Sequence, residues 1–210
     1  MNTKILSLAL GLALSATVLS ASAQKTINQG IATYDTEVRG QPAQATQYFN
    51  ADSSATIVTF GAGTFKLLLT AKHNYVAVVL DIPVAGIKKA GIATPAELEE
   101  SAAQYPTFTF TPTTETKTIS GFNCKKVVAK DSKGGTSYDI WITNDVTVPS
   151  TAIPFYYAGI GGYPVQFTYF QQGQGVSITI KTLTEGKAPA GTYAIGSDFE
   201  KGSLSDLSAH

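Results

Sequence analysis

Short runs of alternating apolar and polar residues make up most of the chain, and glycine or proline separates them about every ten residues. Alternation with a period of two places successive side chains on opposite faces, so each run predicts a half-buried β-strand. Strands at this spacing are typical of a β-meander in a sandwich or barrel. The predicted strands cover residues 29–38, 45–50, 56–60, 64–70, 75–80, 107–111, 114–119, 122–129, 138–143, 165–171 and 176–184.

One segment, residues 94–104, departs from this alternation and predicts a short helix. Thr94 is a favourable N-cap, Pro95 suits the first helical position, and Glu97 completes a capping box. Leu98 is the only large apolar residue of the segment. We therefore expect the helix to lie across the sheet and to depend on tertiary packing for its stability.

The clearest pair of strands is the hairpin of residues 121–145, which contains the single Cys and the single Trp of the chain. Its second strand places Tyr138, Ile140 and Ile142 on one face, which is the predicted core face. One cysteine cannot form an internal disulfide. We expect Cys124 to be a buried free thiol, and an intermolecular disulfide is the alternative.

Residues 147–164 are the least strand-like part of the domain, because three prolines and three glycines interrupt them. The segment is nonetheless rich in large apolar side chains, so it either packs against the sheet or faces a ligand or a partner. Beyond residue 185 the alternation is lost, and the small, polar segment 202–210 is expected to fray. The large apolar residues of the loop are Ile153, Phe155, Tyr156, Tyr157, Ile160 and Tyr163.

The first 23 residues have the pattern of a secretory signal peptide. A short positive start precedes the apolar residues 5–19, and residues 21–23, Ala-Ser-Ala, form a small-x-small cleavage site. The apolar run is too short to cross a bilayer comfortably, which disfavours the alternative of a retained anchor. We expect cleavage after Ala23 and a single β-rich domain over residues 24–201. The domain is expected in the periplasm or outside the cell. It is not expected to be a lipoprotein, because the residue directly after the cleavage site is Gln24 and not Cys.

The charges of the chain are balanced, with 15 Lys and Arg residues and 15 Asp and Glu residues. The signal peptide contains Lys4 and no acidic residue, so the mature chain is expected to be nearly neutral. A neutral protein has no electrostatic reason to bind nucleic acid or an anionic membrane. No transmembrane segment is expected in the mature chain, and the sequence leaves the oligomeric state open.

Residues suited to catalysis or metal binding are few. His73 is the only histidine apart from the terminal His210, and it is expected in a surface turn. No Gly-x-Ser-x-Gly motif is present, and one Cys and one internal His make a poor ligand set for a metal. The sequence therefore predicts no catalytic residues, no metal and no cofactor. A secreted hydrolase with His73 or a lone carboxylate as its base is the least favoured alternative.

Three segments carry a resemblance to a known family. Residues 121–126 read Gly-Phe-Asn-Cys-Lys-Lys, residues 138–145 read Tyr-Asp-Ile-Trp-Ile-Thr-Asn-Asp, and residues 161–165 read Gly-Gly-Tyr-Pro-Val. Together they resemble exported Bacteroidetes proteins assigned to domains of unknown function. That family is similar in plan to periplasmic lipoprotein carriers of the LolA type. The resemblance implies a strongly curved antiparallel sheet, an open half-barrel, with a helix or loop over its concave side.

These observations favour an exported, soluble carrier protein that is not an enzyme. Its ligand would be a hydrophobic small molecule, a lipid or the acyl chain of a lipidated protein, held in the concave face of the sheet. The helix of residues 94–104 and the loop of residues 155–163 are predicted to form the lid, with Phe155, Tyr156, Tyr157 and Tyr163 as its contact residues. The predicted ligand-contact residues of the sheet are Val78, Tyr138, Ile140, Ile142, Phe167 and Tyr169.

A different class of protein is the principal alternative. A half-barrel filled by its own side chains would be an interaction or structural module of the cell envelope. Such a module would bind its partner protein through the aromatic loop, residues 153–163. An open cavity in the concave face would favour the carrier, and a filled concave face would favour the module.

Overall fold

The computed structural model describes residues 24–38, 40–171 and 173–208, and the predicted signal peptide lies outside these ranges. Strands dominate the described chain, and two short α-helices accompany them. The strands are β1 Lys25–Thr26, β2 Gly30–Val38, β3 Gln41–Phe49, β4 Ser53–Phe60, β5 Gly63–Thr70, β6 Val76–Ile82, β7 Ile87–Ile92, β8 Phe108–Ile119, β9 Phe122–Asp131, β10 Ser137–Thr143, β11 Val146–Thr147, β12 Tyr163–Gln171, β13 Gln174–Glu185 and β14 Glu200–Gly202. The helices are α1 Pro95–Gln104 and α2 Leu204–Ser208.

Twelve of these strands form one sheet in the order β14-β7-β6-β5-β4-β3-β2-β13-β12-β10-β9-β8. All neighbours are antiparallel except β14 and β7, which run parallel. The edge strands β14 and β8 do not pair with each other, so the sheet is not closed into a barrel. Strands β1 and β11 form a separate parallel pair. The prediction of a mainly β, open and largely antiparallel sheet with a short helix is confirmed.

The strand boundaries differ from the predicted ones in several places, and the short strands β1, β11 and β14 were not predicted. Residues 107–111 and 114–119 belong to the single strand β8, which pairs with β9 across an irregularity between Pro112 and Thr116. Strand β7 has no counterpart among the predicted strands. Its sequence, Ile-Lys-Lys-Ala-Gly-Ile, lacks the alternation of apolar and polar residues on which the prediction depended.

The larger hydrophobic core surrounds the 121–145 hairpin and the strands beside it. Ile140 and Ile142 are buried there and Tyr138 packs against them, which confirms the predicted core face of β10. Cys124 is buried and free, as expected for a structural thiol, and burial raises the pKa of this thiol. A thiol that stays protonated and shielded is inert toward oxidation.

A second, smaller core lies on the opposite face of the sheet. Leu68 and Val79 are buried there together with alanines of β4, β6 and β7. Tyr193, Ile195 and Phe199, from the irregular segment that follows β13, pack against this core. Strands β5 and β6 therefore have apolar contacts on both faces, which explains the consecutive apolar residues 67–69 and 76–80.

The C-terminal segment forms regular structure where fraying was expected. Strand β14 extends the sheet beside β7, and α2 lies directly over Gly91. A β-carbon at Gly91 would lie 2.8 Å from the backbone carbonyl oxygen of Ser203, which cannot turn aside, so only glycine allows this close approach. The carboxylate of Asp206 accepts a hydrogen bond from the Ser203 backbone N–H at 2.7 Å. Within the described ranges, neither helix has the length and apolar character needed to cross a bilayer.

Candidate functional site

A covered cavity of about 190 Å³ lies between the sheet, α1 and the loop that follows β11. Seven neighbouring strands, from β6 through β13 to β12 in the order of the sheet, contribute side chains to it. Strands so far apart in a sheet can surround one cavity only if the sheet curves. The cavity is therefore on the concave face, and helix and loop cover it.

The wall formed by the sheet is largely apolar. Leu67 and Leu69 alternate along β5 with Leu68, which points to the opposite face and belongs to the second core. Val76 is directly opposite Leu69 on the neighbouring strand β6. On the other side of the cavity, strands β13 and β12 of the curved sheet contribute Ile178, Ile180, Pro164, Phe167 and Tyr169.

Tyrosines are the largest polar side chains of the cavity, and the other polar residues of its lining are Gln47, Ser54, Thr56, Thr70, His73, Ser101 and Thr151. Tyr34, Tyr163 and Tyr169 line it from the sheet, and Tyr105 and Tyr156 line it from the cover. Burial raises the pKa of Tyr34 to about 12, against a smaller opposing effect of the Thr56 hydroxyl. Burial likewise raises the pKa of Tyr163 and Tyr169. These groups are therefore neutral hydroxyls at physiological pH.

The cavity lining contains no Lys, Arg, Asp or Glu among the residues that the structure describes. His73 is the one ionisable side chain there besides the tyrosines, and it lies beside Phe155 with the two rings 5.2 Å apart. Partial burial lowers the pKa of His73, so its imidazole is neutral at pH 7. His73 is exposed as expected, but it also borders the cavity, which the sequence did not indicate. A neutral, apolar lining disfavours ionic ligands, because an ion would lose its hydration without gaining a counter-charge.

Helix α1 covers the cavity through Leu98, Ser101 and Ala102, yet none of its residues is buried. The predicted capping box is present, with Thr94 N–H donating to Oε2 of Glu97 at 2.8 Å. A helix of this length without buried residues is marginally stable on its own. The polar contacts at its two ends therefore matter more than its packing.

Both ends of α1 are attached to other elements by hydrogen bonds. Oε1 of Glu97 accepts a hydrogen bond from the Ser205 backbone N–H of α2 at 2.8 Å. At the other end, Nζ of Lys133 donates to the carbonyl oxygens of Ala103, at 3.0 Å, and Tyr105, at 3.2 Å. A cation at this end also interacts favourably with the helix dipole. These contacts attach the helix over the cavity although none of its residues is buried.

Glu97→Gln should loosen the cover. Hydrogen bonds from Thr94 and Ser205 lower the pKa of Glu97 from 4.5 to about 2, which means that the folded state favours its charged form. Its stabilising effect is fully present above about pH 4.5 and is lost as the pH falls through about 2. We expect residues 94–104 to exchange amide hydrogens faster in Glu97→Gln than in the wild type at pH 6, measured by mass spectrometry.

The control for this prediction is Glu99→Gln, since Glu99 is exposed on the same helix. The change removes the same charge from the helix but none of the hydrogen bonds at its N-terminal end. Equal exchange rates in the two variants would show that Glu97 does not anchor the helix.

Tyrosine side chains of the aromatic loop attach it to strand β12. The loop contains the 3₁₀ turn Phe155–Tyr157, and a second 3₁₀ turn, Ser150–Ala152, precedes it. The Tyr157 hydroxyl donates to the Thr168 carbonyl oxygen at 2.6 Å, and the Tyr156 hydroxyl accepts from the Phe170 N–H at 3.0 Å. Strand β10 pairs with β12 only as far as Gln166, so these two hydroxyls satisfy backbone groups of β12 beyond that point.

The structure divides the predicted contact residues into two groups. Phe167 and Tyr169 line the cavity, as predicted. The other four predicted sheet residues do not. Ile140, Ile142 and Tyr138 lie in or against the larger core, and Val78 lies opposite Leu67 but is not part of the lining. For the three residues of β10 the reason is that β10 diverges from β12, and aromatic side chains fill the space between them.

The predicted lid residues divide in the same way. Phe155, Tyr156 and Tyr163 line the cavity, whereas Tyr157 is completely buried on Phe108. Sequence reasoning missed the contributions of β2, β3, β4, β5 and β13. Alternation along those strands identifies the faces that Tyr34, Leu67, Leu69, Ile178 and Ile180 share, but not which face is concave.

Comparison with known proteins adds little. No family model and no curated protein matches the chain. Two solved structures of PNGF-II, in space groups P21 and C2, are similar to it with TM-scores of 0.49 and 0.46, each at 16% sequence identity. The alignments cover 86% of this chain but 32% and 31% of the PNGF-II chain, so the chain spans about a third of the length of that protein. Similarity of this degree carries no argument about activity or ligand.

Proposed function

We propose that this protein is an exported binding or carrier protein for a hydrophobic ligand held in the concave face of its sheet. The observation that carries the proposal is the covered cavity, whose wall consists mainly of apolar and tyrosine side chains with a few smaller polar groups. A concave, mostly apolar pocket with a few polar groups is the usual form of a small-molecule site. The cover formed by α1, with no buried residue, gives the ligand a way in and out.

The volume of the cavity limits the size of the ligand. A cavity of about 150 Å³ holds one benzene molecule, whereas pockets for drug-sized ligands measure roughly 300 to 1,000 Å³. The cavity of about 190 Å³ therefore suits a compact ligand in the closed form. A long acyl chain or the lipid of a lipidated protein would require α1 to move away from the sheet.

Native mass spectrometry of the mature chain tests this proposal directly. The protein is purified from the periplasm of a bacterial host, and the complex is then extracted with organic solvent. A co-purifying mass that partitions into the organic phase would support the carrier. A mass equal to that of the chain alone, combined with no binding of added naphthalene probes, would contradict it.

Leu98→Trp should reduce ligand binding by filling the cavity from the cover. Leu98 lines the cavity, so the larger indole would occupy space that the ligand needs. We expect the affinity for 2-ethylnaphthalene, measured by its fluorescence, to fall at least about tenfold, which corresponds to about 1.4 kcal/mol. A free-energy cost of this magnitude is typical when a larger side chain is added to a packed site.

Glu99→Trp is the matched control, because Glu99 is exposed on the same helix and is not part of the lining. It adds the same indole without filling the cavity. Unchanged binding in Leu98→Trp would show that the probe binds elsewhere. An equal loss of affinity in both variants would show that a disturbed helix, and not the filled cavity, weakens binding.

The interaction module remains the alternative proposal, and one observation favours it. Phe155, within the proposed docking loop 153–163, is 39% exposed, although Tyr156, Tyr157, Ile160 and Tyr163 are buried. A single exposed phenylalanine is a small docking surface. Crosslinking of envelope proteins in intact cells through a photoreactive residue at position 155 would reveal a partner if the module is correct.

A further inference from the structure

We propose that the ligand of this cavity is an electrically neutral molecule with an apolar body and a hydrogen-bond acceptor. The acceptor takes a hydrogen bond from the Tyr163 hydroxyl. The inference rests on the proposed function and specifies the ligand class of the same site. Three features of the cavity carry it: a buried hydroxyl without a partner among the described residues, a described lining without Lys, Arg, Asp or Glu, and the small volume.

The unpartnered hydroxyl is that of Tyr163, at the start of β12. Its side chain is 2% exposed and lines the cavity, and its hydroxyl has no hydrogen-bond partner in the described part of the chain. Asp81 has the only other such buried side-chain atom among the described residues, and its second carboxylate oxygen lies 3.9 Å from Nζ of Lys88. Among the described residues of the cavity wall, Tyr163 is thus the one with a fully buried side-chain hydroxyl that lacks a hydrogen-bond partner.

An unsatisfied hydroxyl at this place requires an explanation. Folded proteins pair almost all of their buried polar groups, because an unpaired group loses its hydration without compensation. Other buried tyrosines of this protein follow the rule, since the hydroxyls of Tyr156 and Tyr157 each bind a backbone group of β12. A ligand atom that reaches this hydroxyl would give Tyr163 the partner that the described residues do not supply.

The neutral lining decides the charge of the ligand. A carboxylate or phosphate would need Lys or Arg, and an ammonium group would need Asp or Glu, but the lining described above has none of them. The tyrosine hydroxyl is a good donor to a carbonyl, ether or alcohol oxygen. A free fatty acid in its ionised form is therefore a poor ligand, although its chain is apolar.

Three naphthalene probes of similar size separate the effect of a hydrogen-bond acceptor on affinity from the effect of charge. 2-Acetylnaphthalene is neutral and has a carbonyl acceptor, 2-ethylnaphthalene is neutral and has none, and 2-naphthoate carries a negative charge. Affinities are measured by fluorescence at pH 7 for the mature chain. We expect 2-acetylnaphthalene to bind about five- to tenfold more tightly than 2-ethylnaphthalene, as one added buried hydrogen bond implies. We expect 2-naphthoate to bind more weakly than either neutral probe.

Tyr163→Phe should remove the preference for 2-acetylnaphthalene and leave the affinity for 2-ethylnaphthalene within about twofold of the wild type, because the ring that shapes the cavity is retained. Tyr193→Phe is the control, since Tyr193 packs on the opposite face of the sheet. The control should keep the full preference. Circular dichroism and thermal unfolding verify that both variants are folded.

The outcomes distinguish this inference from the proposed function. If none of the probes binds, the proposed function itself fails. If both neutral probes bind equally well to the wild type, or if Tyr163→Phe keeps the preference, the carrier stands but Tyr163 does not recognise the ligand. If 2-naphthoate binds as tightly as 2-acetylnaphthalene, the ligand class is wrong. The affinities of the three probes for the wild type test the proposed ligand class even if Tyr163→Phe does not fold.

Discussion

Tyr157→Ala should lower the free energy of unfolding by about 3 to 5 kcal/mol, the usual loss when a large aromatic residue is removed from a core. Tyr157 is completely buried. Its ring stacks on Phe108 with centroids 5.5 Å apart and meets the edge of Phe167 at 5.9 Å. Removal of the ring leaves a cavity, and removal of the hydroxyl leaves the carbonyl oxygen of Thr168 without a partner.

The structural reason for so large an effect is the position of Tyr157 between two strands that separate. Where β10 no longer pairs with β12, this side chain supplies both the packing and the hydrogen bond that a neighbouring strand would supply. Urea unfolding measures the loss. A midpoint of thermal unfolding lower by roughly 10 °C would accompany it.

Two neighbouring changes serve as controls. Phe155→Ala should cost less than about 1 kcal/mol, because Phe155 is partly exposed and belongs to the same 3₁₀ turn. Tyr157→Phe should cost about 1 to 2 kcal/mol, because it removes only the hydrogen bond to Thr168. A loss in Tyr157→Ala no larger than that in Phe155→Ala would show that the loop does not stabilise the domain.

Gly30→Ala should destabilise the protein by about 2 to 3 kcal/mol through overpacking. A β-carbon at residue 30 would lie 2.6 Å from Cζ of Phe49 and 2.9 Å from the carbonyl oxygen of Thr184. The phenyl ring is fully buried and the carbonyl is backbone, so neither can move away at low cost. Gly30 is thus the site where β2 and its neighbours approach too closely for any side chain.

The control for Gly30→Ala is Gly186→Ala at the same end of the sheet. A β-carbon at residue 186 would lie 3.3 Å from Cδ1 of Ile31, the flexible end of a side chain that can turn aside. We expect the stability of Gly186→Ala to remain within about 0.5 kcal/mol of the wild type. Equal effects of the two changes in urea unfolding would show that the packing around Phe49 is not tight.

The sequence determined the local structure of this protein because the signals for it are local. Period-two alternation predicted most strands of the large sheet, and the residues Thr94, Pro95 and Glu97 predicted helix α1 and its capping box. The core face of β10 followed from Tyr138, Ile140 and Ile142 for the same reason. Strand β7, which lacks alternation, was correspondingly missed.

Only the tertiary structure decided which residues meet at the cavity. Alternation separates Leu67 from Leu68 but does not say which face of β5 is concave, and the divergence of β10 from β12 removed Ile140 from the site. The covering of the opposite face by Tyr193 and Phe199 was equally invisible in an irregular segment. Curvature, strand divergence and the unpartnered hydroxyl of Tyr163 depend on residues far apart in the chain, and no local pattern contains that information.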